Sequence, residues 1–382
     1  MEIFRYNYIM TKRKVLISCA SGVESVTKKE LRNLGFVAPK AFDGKIAVEA
    51  DDVDVARLNV FLRTADRVYM VIDSFFADTF DALFDGVYKI NWADILPFNA
   101  KIIINGKSKK SKLFALSSCQ SIIKKAILRK LSDKYRRSVF PETGEIYRIE
   151  FFIDNDVVSV CLNTSGDGLH KRGYRNLVGT APIKETLCSA LILLSDFNAD
   201  SPFCDPFCGS GTFPIEATMI ALNIAPGKFR DYDYKKWDFF DEKAHSLAMQ
   251  EALDKEITRP LKIYGFDIDK NAIALSRRHA LNAGVGDYIH FQTQDVRDFS
   301  CRYKNGCIVT NPPYGERLLT KKQVEELYSV LGSLWKSLDN WSLSVITACD
   351  TFEKAFGKKC DSNRKFYNSN IQCRFYQYNK KV

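Results

Sequence analysis

Residues 203–212 read FCDPFCGSGT, and the helical sequence FPIEATMIAL follows at 213–222. An apolar strand, a carboxylate at its end, two glycines and a helix occur in this order where a doubly wound sheet binds a nucleotide-like ligand. Gly209 and Gly211 allow the backbone to turn tightly against such a ligand. The segment therefore predicts an α/β domain with a pocket at the carboxyl ends of its strands.

Two later segments place further acids at strand ends, YGFDIDKNA at 264–272 and QDV at 294–296. Asp267 is positioned to receive two ribose hydroxyls, and Asp295 to accept a hydrogen bond from an adenine amino group. Asp205, before the glycines, would repel a pyrophosphate but attract the ammonium of an amino-acid tail. The three acids together favour S-adenosylmethionine, whereas the alternative is that they only cap turns.

A third motif, TNPPYGERL at 310–318, follows the apolar strand 307–309. The lone pair of an exocyclic base amine is delocalised into the ring, so catalysis must restore it. Asn311 and the carbonyl of Pro312 can accept hydrogen bonds from the amine, and the prolines Pro312 and Pro313 fix the backbone. Tyr314 offers a stacking face to a splayed base. This motif predicts methylation of a base amine, by positioning and with no metal.

The composition is that of a folded protein of two or three domains. The chain has 382 residues, of which 46% are hydrophobic and 27% are charged. No apolar run approaches the length of a membrane span, and the N-terminus lacks a signal-peptide core, so we expect a cytoplasmic protein without membrane contact. The 11 cysteines include no CxxC pair, and Cys204 with Cys208 is the only spacing that suggests a metal. We expect free thiols and no metal site.

Positive charge is concentrated in one stretch. Residues 101–137 contain 12 Lys and Arg against one acid, a local net charge of +11 where the whole chain carries +10. Residues 118–135 predict an amphipathic helix whose inner face holds Ile123, Ile127, Leu131 and Tyr135, and GKSKKSK at 106–112 predicts a loop. A solvated face is the alternative to a polyanion site, but this concentration favours nucleic acid.

The chain divides at a joint rich in glycine and polar residues, 163–179. Before it, strands are predicted at 15–18, 46–49, 68–73, 101–105, 148–153 and 157–162, with helices at 23–34, 53–61 and 80–88. After it, a helix at 183–196 opens the doubly wound pattern. Asp267 follows Asp205 by 62 residues, whereas a minimal unit of this fold separates the two positions by about 20. The extra residues at 226–259 are therefore expected to form an insertion that loops out of the domain.

DPFCGSGT, FDID, QDV and NPPYGERL occur in the order seen in class I S-adenosylmethionine-dependent methyltransferases of exocyclic base amines. With HKRGYR at 170–175, APIKET at 181–186 and SGVESVTKKEL at 21–31, the chain resembles the THUMP-containing RNA guanine-N2 methyltransferases over nearly its whole length. The resemblance implies a Rossmann-like C-terminal domain behind an α+β ferredoxin-like and THUMP region. It implies boundaries at 1–57, 58–165 and 166–382.

The resemblance also assigns roles to residues of this chain. The catalytic set is Asn311, Pro312, Pro313 and Tyr314. The expected cofactor-binding set is Asp205, Phe207, Gly209, Gly211, Thr212, Asp267, Ile268, Asp295, Val296 and Asn311, with Lys184, Glu185 and Thr186 near the methionine tail. The expected RNA-binding set is Lys107, Lys109, Lys110, Lys112, Lys124, Arg129, Lys130, Arg172 and Arg175.

Three functions remain open from the sequence. The leading one is methylation of guanine N2 in RNA, with 23S rRNA as the expected partner. The second is methylation of adenine N6 in DNA or RNA, because NPPY chemistry does not encode the base. The third is a noncatalytic RNA-binding assembly factor that retains the pocket. The sequence does not identify a protein partner.

Overall fold

The structure, a computed structural model, describes residues 12–37, 39–42, 44–175, 183–314, 320–368 and 371–380. Three parts of the sequence predictions lie outside these residues. They are the end of the joint at 176–179, the first two residues of APIKET, and the last four residues of NPPYGERL.

The front half of the chain forms one seven-stranded sheet in the order β2-β3-β1-β4-β7-β6-β5. Its strands β1 to β7 span Arg13–Cys19, Lys40–Phe42, Lys45–Ala50, Ala65–Phe76, Lys101–Lys109, Ile146–Asp154 and Val157–Asn163. Its helices α1 to α4 span Glu24–Asn33, Asp52–Phe61, Phe80–Lys89 and Leu116–Tyr135. β4 pairs with both β1 and β7, so a single long strand joins the two halves of this sheet.

All the helices of this region share one face of the sheet. Strand alternation sends Val15, Ile17, Val68 and Met70 to that face, where they are fully buried in one core with residues of all four helices. The opposite face has only a small buried cluster, formed by Leu16, Tyr69, Phe152 and Cys161. Among the described residues, the front sheet therefore has one face covered by helices and one face without helices, which we call the helix-free face.

The strands and helices predicted before the joint are present, and the structure corrects the segment between β5 and α4. Residues 106–109 continue β5, paired in parallel register with β6 as far as Lys109 opposite Asp154. Lys107 and Lys109 therefore lie on a strand and not in a loop. Composition alone suggested a loop because GKSK contains no apolar residue. Its alternation of small or polar residues with lysine is nevertheless compatible with a half-exposed edge of a strand.

The second half forms another seven-stranded sheet, β10-β9-β8-β11-β12-β14-β13. Its strands β8 to β14 span Phe203–Asp205, Ile263–Asp267, Ile289–Thr293, Cys307–Thr310, Ser342–Thr347, Ser362–Asn368 and Ile371–Tyr378. Its helices α5 to α10 span Glu185–Leu194, Thr212–Ala221, Ala244–Asp254, Lys270–Asn282, Lys321–Ser337 and Phe352–Phe356. β8 lies between β9 and β11, so the strand order reverses beside it, which is where doubly wound sheets bind ligands. The predicted α/β class is confirmed.

The insertion at 226–259, which we call the strap, does not loop out. It folds back over the front sheet: Asp241 N donates to Asp52 at 3.0 Å, and Arg57 Nε donates to Glu251 at 2.7 Å. The ring of Trp237 stacks on Tyr147 with centroids 5.7 Å apart. The prediction of a projecting loop was wrong because the strap is rich in aromatic residues, whose burial stabilises packing between the two sheets.

The joint is also packed. Thr164 Oγ1 donates to Val68 O at 2.8 Å and accepts from Asn59 Nδ2 at 2.9 Å. Within the described ranges, no helix is long and apolar enough to cross a membrane, and no group of three or more His, Cys, Asp or Glu side chains could hold a metal ion.

Candidate active site

The glycine-rich turn between β8 and α6 has the geometry of a ligand cradle. Gly209 and Gly211 both have positive φ angles, 51° and 83°. A Cβ on Gly211 would lie 2.8 Å from Ser276 Cβ, so no larger residue fits there. A Cβ on Gly209 would meet nothing within 4 Å, so the backbone at this point borders open space. The turn leaves room for a ligand to lie against its main chain.

Asp267 holds this turn. Its Oδ2 accepts from Gly209 N at 2.9 Å, and its Oδ1 accepts from Asp269 N at 2.9 Å. Burial raises the pKa of the Asp267 carboxyl, and these two amides oppose the rise. The next residue, Ile268, is 69% exposed, an unusual state for an isoleucine. A carboxylate beside an open apolar side chain suits a ribose and an adjoining flat base.

Asp205 and Thr310 join the ends of β8 and β11. Thr310 Oγ1 donates to Asp205 Oδ1 at 2.6 Å, and Phe207 N donates to the same oxygen at 3.1 Å. Burial raises the pKa of Asp205 to about 7, although both hydrogen bonds oppose the rise. Because Asn311 follows Thr310 directly, this bond connects the glycine-rich turn to the NPPY segment.

The NPPY segment is anchored by Tyr328, a residue that the sequence analysis did not single out. Tyr328, buried on α9, donates to Pro313 O at 3.0 Å and shares a 2.9 Å hydrogen bond with Thr347. Pro312 is buried, whereas Asn311 and Tyr314 are partly exposed. The side chains of Asn311 and Tyr314, which are expected to meet a base, therefore lie at the surface. The segment that carries them is anchored by buried Pro312 and by the hydrogen bond to the Pro313 carbonyl.

Asp295 lies at the end of the neighbouring strand β10. Its side chain accepts from Arg297 N and from Arg297 Nη1, both at 2.8 Å. The side chain of Val296 is buried, so only the main chain of that residue is open to a ligand. The carboxyl ends of β8, β9, β10 and β11 thus bring Asp205, Asp267, Asp295 and Asn311 to one edge of the sheet.

Comparison with known proteins assigns this architecture to a family. Residues 172–377 match the RMKL-like methyltransferase domain, residues 14–69 the RlmL ferredoxin-like domain, and residues 77–163 the THUMP domain. YpsC of Bacillus subtilis (strain 168), an RNA methyltransferase by name, is 42% identical over 98% of this chain and 97% of its own length. The chain belongs to the THUMP-containing RNA methyltransferases.

Other relatives of this methyltransferase carry different names. The ribosomal RNA large subunit methyltransferase K/L of Buchnera aphidicola is 34% identical over 91% of the chain, which covers 51% of that longer protein. The structure of SMU.472, a methyltransferase by name solved with SAH, is 39% identical with a TM-score of 0.91, covering 97% of this chain and 99% of that one. A Listeria monocytogenes structure described as a predicted N6-adenine-specific DNA methylase is 43% identical with a TM-score of 0.92, covering 98% and 97%.

Arg172, expected to bind RNA, is instead at the centre of the methyltransferase interior. It is 2% exposed, and its Nε lies 3.5 Å from Glu216 Oε1 on α6. Glu216 also accepts hydrogen bonds from Tyr174 and Ser189. Arg172 Nη2 donates to the carbonyl of Arg63, in the connection between α2 and β4 of the front half. The RNA assignment of Arg172 was wrong because its charge is neutralised within the protein.

Arg175 is likewise turned inward, toward the methyltransferase pocket. Its Nη1 lies 3.0 Å from Glu185, 3.2 Å from Ile183 O and 3.4 Å from Thr212 Oγ1 at the start of α6. Burial raises the pKa of Glu185 to about 7, and Arg175 opposes that rise. Arg175 therefore braces the glycine-rich turn and does not belong to an exposed RNA surface. Thr186 Oγ1 donates to Asp66 at 3.1 Å.

The cations of the THUMP helix α4 are on its outer face, and several have acidic partners. Lys124 lies 2.6 Å from Glu142, Arg129 3.5 Å from Asp133, and Lys130 Nζ lies over the Tyr88 ring. Lys112 lies 2.7 Å from Asp78. Three of the four residues predicted for the inner face of α4 are buried, namely Ile123, Ile127 and Leu131, whereas Tyr135 is partly exposed. These ion pairs reduce the net field that the sequence count suggested.

Proposed function

We propose that this protein transfers a methyl group from S-adenosylmethionine to the exocyclic N2 of a guanine in RNA, with 23S rRNA as its substrate. The observation that carries the proposal is the 2.6 Å hydrogen bond between Thr310 and Asp205. It places Asn311, the expected acceptor for a base amine, beside the turn expected to hold the methionine tail. A methyl donor and an amine would meet where the two strands end.

The described residues fit the cofactor. The space beside Gly209 would admit the ligand, Asp267 would receive the ribose hydroxyls, and Ile268 would cover one face of the adenine. Asp295 would accept from the adenine amino group, and Asp205 would bind the ammonium of the tail. When bound, S-adenosylmethionine supplies an electrophilic methyl group on its sulfonium.

The protein's own part in the reaction is positioning. Asn311 Oδ1 and the Pro312 carbonyl would accept the two amine hydrogens, which localises the nitrogen lone pair and directs it at the methyl group. Tyr314 would stack on the extruded base, and Tyr328 would keep the segment at a fixed depth through Pro313. The nitrogen, cationic once methylated, would lose its extra proton to water, and the electron pair of the broken carbon–sulfur bond would stay on sulfur. The step therefore balances without a covalent nucleophile from the protein.

The choice of guanine rests on the resemblance of the motif set, and the choice of RNA on the THUMP domain. Adenine N6 is the second candidate, because one of the similar structures is described as an adenine-specific DNA methylase. 23S rRNA is proposed because the Buchnera relative is named for the large ribosomal subunit. We propose functional boundaries at 1–57, 58–165 and 166–382, with the first two units forming the RNA-binding region.

Nucleoside mass spectrometry of ribosomal RNA tests the proposal in cells. Comparing a strain with and without the protein, we expect loss of N2-methylguanosine from the large-subunit RNA and its return when the wild-type protein is supplied. Loss of N6-methyladenosine instead would favour the second candidate. An unchanged set of nucleosides in RNA and DNA would favour the noncatalytic assembly factor.

Replacing Asp267 by Ala should weaken S-adenosylmethionine binding about 10- to 100-fold, because a buried hydrogen bond to a charged group contributes about 1.5–3 kcal/mol. Isothermal titration calorimetry measures the effect. Asp269→Ala is the matched control, since Asp269 is exposed and caps α8 through Asn271 N at 2.8 Å. Equal affinities for the Asp267 variant and wild type would remove Asp267 from the site.

Cofactor affinity should also depend on pH through Asp205. Its pKa of about 7 means that the carboxyl is largely protonated in mildly acid solution, whereas binding of an ammonium requires the ionised form. Affinity should therefore rise as the pH increases from about 5.5 to about 7.5, by up to about tenfold per unit below the pKa. Calorimetric titration at several pH values measures this slope.

Asp205→Asn should bind more weakly at neutral pH and show a flatter pH dependence. Glu185 and Asp267, whose pKa values are also raised, account for any slope that remains. Asp287→Asn, at an exposed position before β10, should behave as wild type. An Asp205→Asn protein with the full wild-type slope would show that another group binds the ammonium.

A further inference from the structure

The helix-free face of the front sheet carries a row of cations. Lys45 on β3, Ser18 on β1 and Arg67 on β4 are register partners across three strands, so their side chains share this face. Lys14 lies four residues before Ser18, so its side chain points to the same face. Lys107 on β5 is the register partner of Phe152, which belongs to the buried cluster of this face, so Lys107 shares the face as well. Lys14 and Lys107 are exposed.

The electrostatic environment shows that these charges converge on the middle of the face. Burial raises the pKa of Glu150, and the nearby charges of Arg67 and Lys107 oppose the rise. Burial raises the pKa of Cys161 to about 12, and Lys45 and Lys14 oppose it. Lys45 Nζ lies 3.6 Å from the centroid of Phe152, four strands away in the sheet order, so the sheet curves around this face. Acids on the face are Glu49, Glu150 and Asp154.

The cationic row continues onto the methyltransferase domain through the seam between the two sheets. Burial lowers the pKa of His170 to about 4, with Lys184 and Arg67 adding to the effect, so these groups adjoin a neutral imidazole. Within the described residues, Arg67 Nε is buried without a hydrogen-bond partner. Among the described residues, neither Arg67 nor Lys184 forms an ion pair with a carboxylate.

The seam lies beside the cofactor pocket. Lys184 is exposed at the start of α5, and the next residue, Glu185, pairs with Arg175, which contacts Thr212 at the glycine-rich turn. A polyanion crossing the sheet face and the seam would therefore arrive at the edge where Asn311 and Tyr314 lie. A concave groove of positive charge that leads to an aromatic side chain is typical of proteins that bind single-stranded nucleic acid.

We propose that the helix-free face and the seam, through Lys14, Lys45, Lys107, Arg67, His170 and Lys184, form a track for the phosphates of a single-stranded RNA segment whose target base enters the pocket. This proposal rests on the proposed function and deepens it by assigning the RNA path. It moves the main contact surface away from helix α4, whose cations are partly paired with acids. The neutral imidazole of His170 donates a hydrogen bond to a phosphate oxygen, and Lys184 supplies the charge.

The test compares two track variants with a charge-matched control. Lys14→Gln/Lys107→Gln removes two exposed cations of the sheet face, and Lys184→Gln removes one from the seam. Lys29→Gln/Lys243→Gln removes the same charge as the double variant from exposed positions on α1 and the strap. Binding of a 12-nucleotide single-stranded RNA of mixed sequence is measured by fluorescence anisotropy against salt concentration. Methyl transfer to protein-free ribosomal RNA is measured in parallel.

Each lost phosphate contact should lower the slope of log affinity against log salt by about 0.7 on a single strand. We therefore expect the face variant to lose about 1.4 and the seam variant about 0.7, both with a raised KM for RNA. The face variant should also keep wild-type affinity for S-adenosylmethionine by calorimetry. The control variant should keep at least most of the wild-type slope. Thermal unfolding at the wild-type temperature would show that the variants are folded.

The outcomes separate this proposal from the function on which it rests. If wild-type protein methylates RNA but the face and seam variants match the control, the track is wrong and the function stands. The same holds if the salt slope falls only in Lys124→Ala/Arg129→Ala/Lys130→Ala, which would place the RNA on α4. If the wild-type protein neither binds nor methylates RNA, the proposed function itself fails.

Discussion

Replacing Asn311 by Ala should reduce methyl transfer by about 10²–10³-fold or more. It should weaken S-adenosylmethionine binding far less, because Asn311 would only border the cofactor whereas Asp205 and Asp267 would bind its charged and hydroxyl groups. The variant loses the side-chain oxygen that would accept from the base amine, and removal of one such oriented polar contact in other active sites costs about this much in rate. Asn311 is partly exposed, so the loss of its side chain leaves no buried cavity. Single-turnover transfer assays and calorimetry measure the two quantities separately.

Asn363→Ala is the matched control for Asn311→Ala. Asn363 is exposed on β13 and contacts Arg374, outside the candidate site. We expect this variant to transfer methyl groups at the wild-type rate. Full activity in Asn311→Ala would contradict the proposed mechanism, because that mechanism assigns the side-chain acceptor for the amine to Asn311.

Breaking the buried pair between Arg172 and Glu216 should have the largest effect on folding. Arg172→Met leaves the carboxylate of Glu216, which is 0% exposed, without its ion-pair partner, and loss of one partner of a buried pair costs about 3–5 kcal/mol of the free energy of unfolding. Because Arg172 also donates to the carbonyl of Arg63, the variant should loosen the contact between the two sheets. Urea denaturation monitored by tryptophan fluorescence measures the loss.

The double variant Arg172→Met/Glu216→Leu distinguishes a charge effect from a packing effect. Replacing both charges with apolar groups of similar size removes the uncompensated ion, so the double variant should be more stable than Arg172→Met alone. Lys171→Met, at the exposed neighbouring position, should change stability by less than about 0.5 kcal/mol. A single variant as stable as wild type would mean that Arg172 is not an essential part of the interior.

The features that local sequence dictates were predictable. FCDPFCGSGT specifies a strand, a turn that only glycines can form and a helix, because each requirement is met within ten residues. The strand-end acids followed from the same logic, and so did the buried face of α4. What the sequence did not supply was the partner of each charge, because ion pairs such as Arg172 with Glu216 join residues 44 positions apart.

Some of the errors had a signal that could have been used. In HKRGYR, Lys171 and Gly173 are exposed while Arg172 and Tyr174 are buried, an alternation typical of an extended segment against a core. The strap contains the aromatic-rich sequence YDYKKWDFF at 232–240, too apolar for a solvated insertion. The role of Tyr328 had no local signal, because its contact with Pro313 depends on how α9 packs.

The most direct test of the central claim is a labelled transfer reaction in solution. Purified protein is incubated with deuterated-methyl S-adenosylmethionine and with protein-free ribosomal RNA from a strain that lacks it, and the RNA is digested to nucleosides for mass spectrometry. We expect label in N2-methylguanosine with wild-type protein and about 10²–10³-fold less, or none, with Asn311→Ala. Label in N6-methyladenosine, or in a ribose or ring-carbon position, would contradict the central claim.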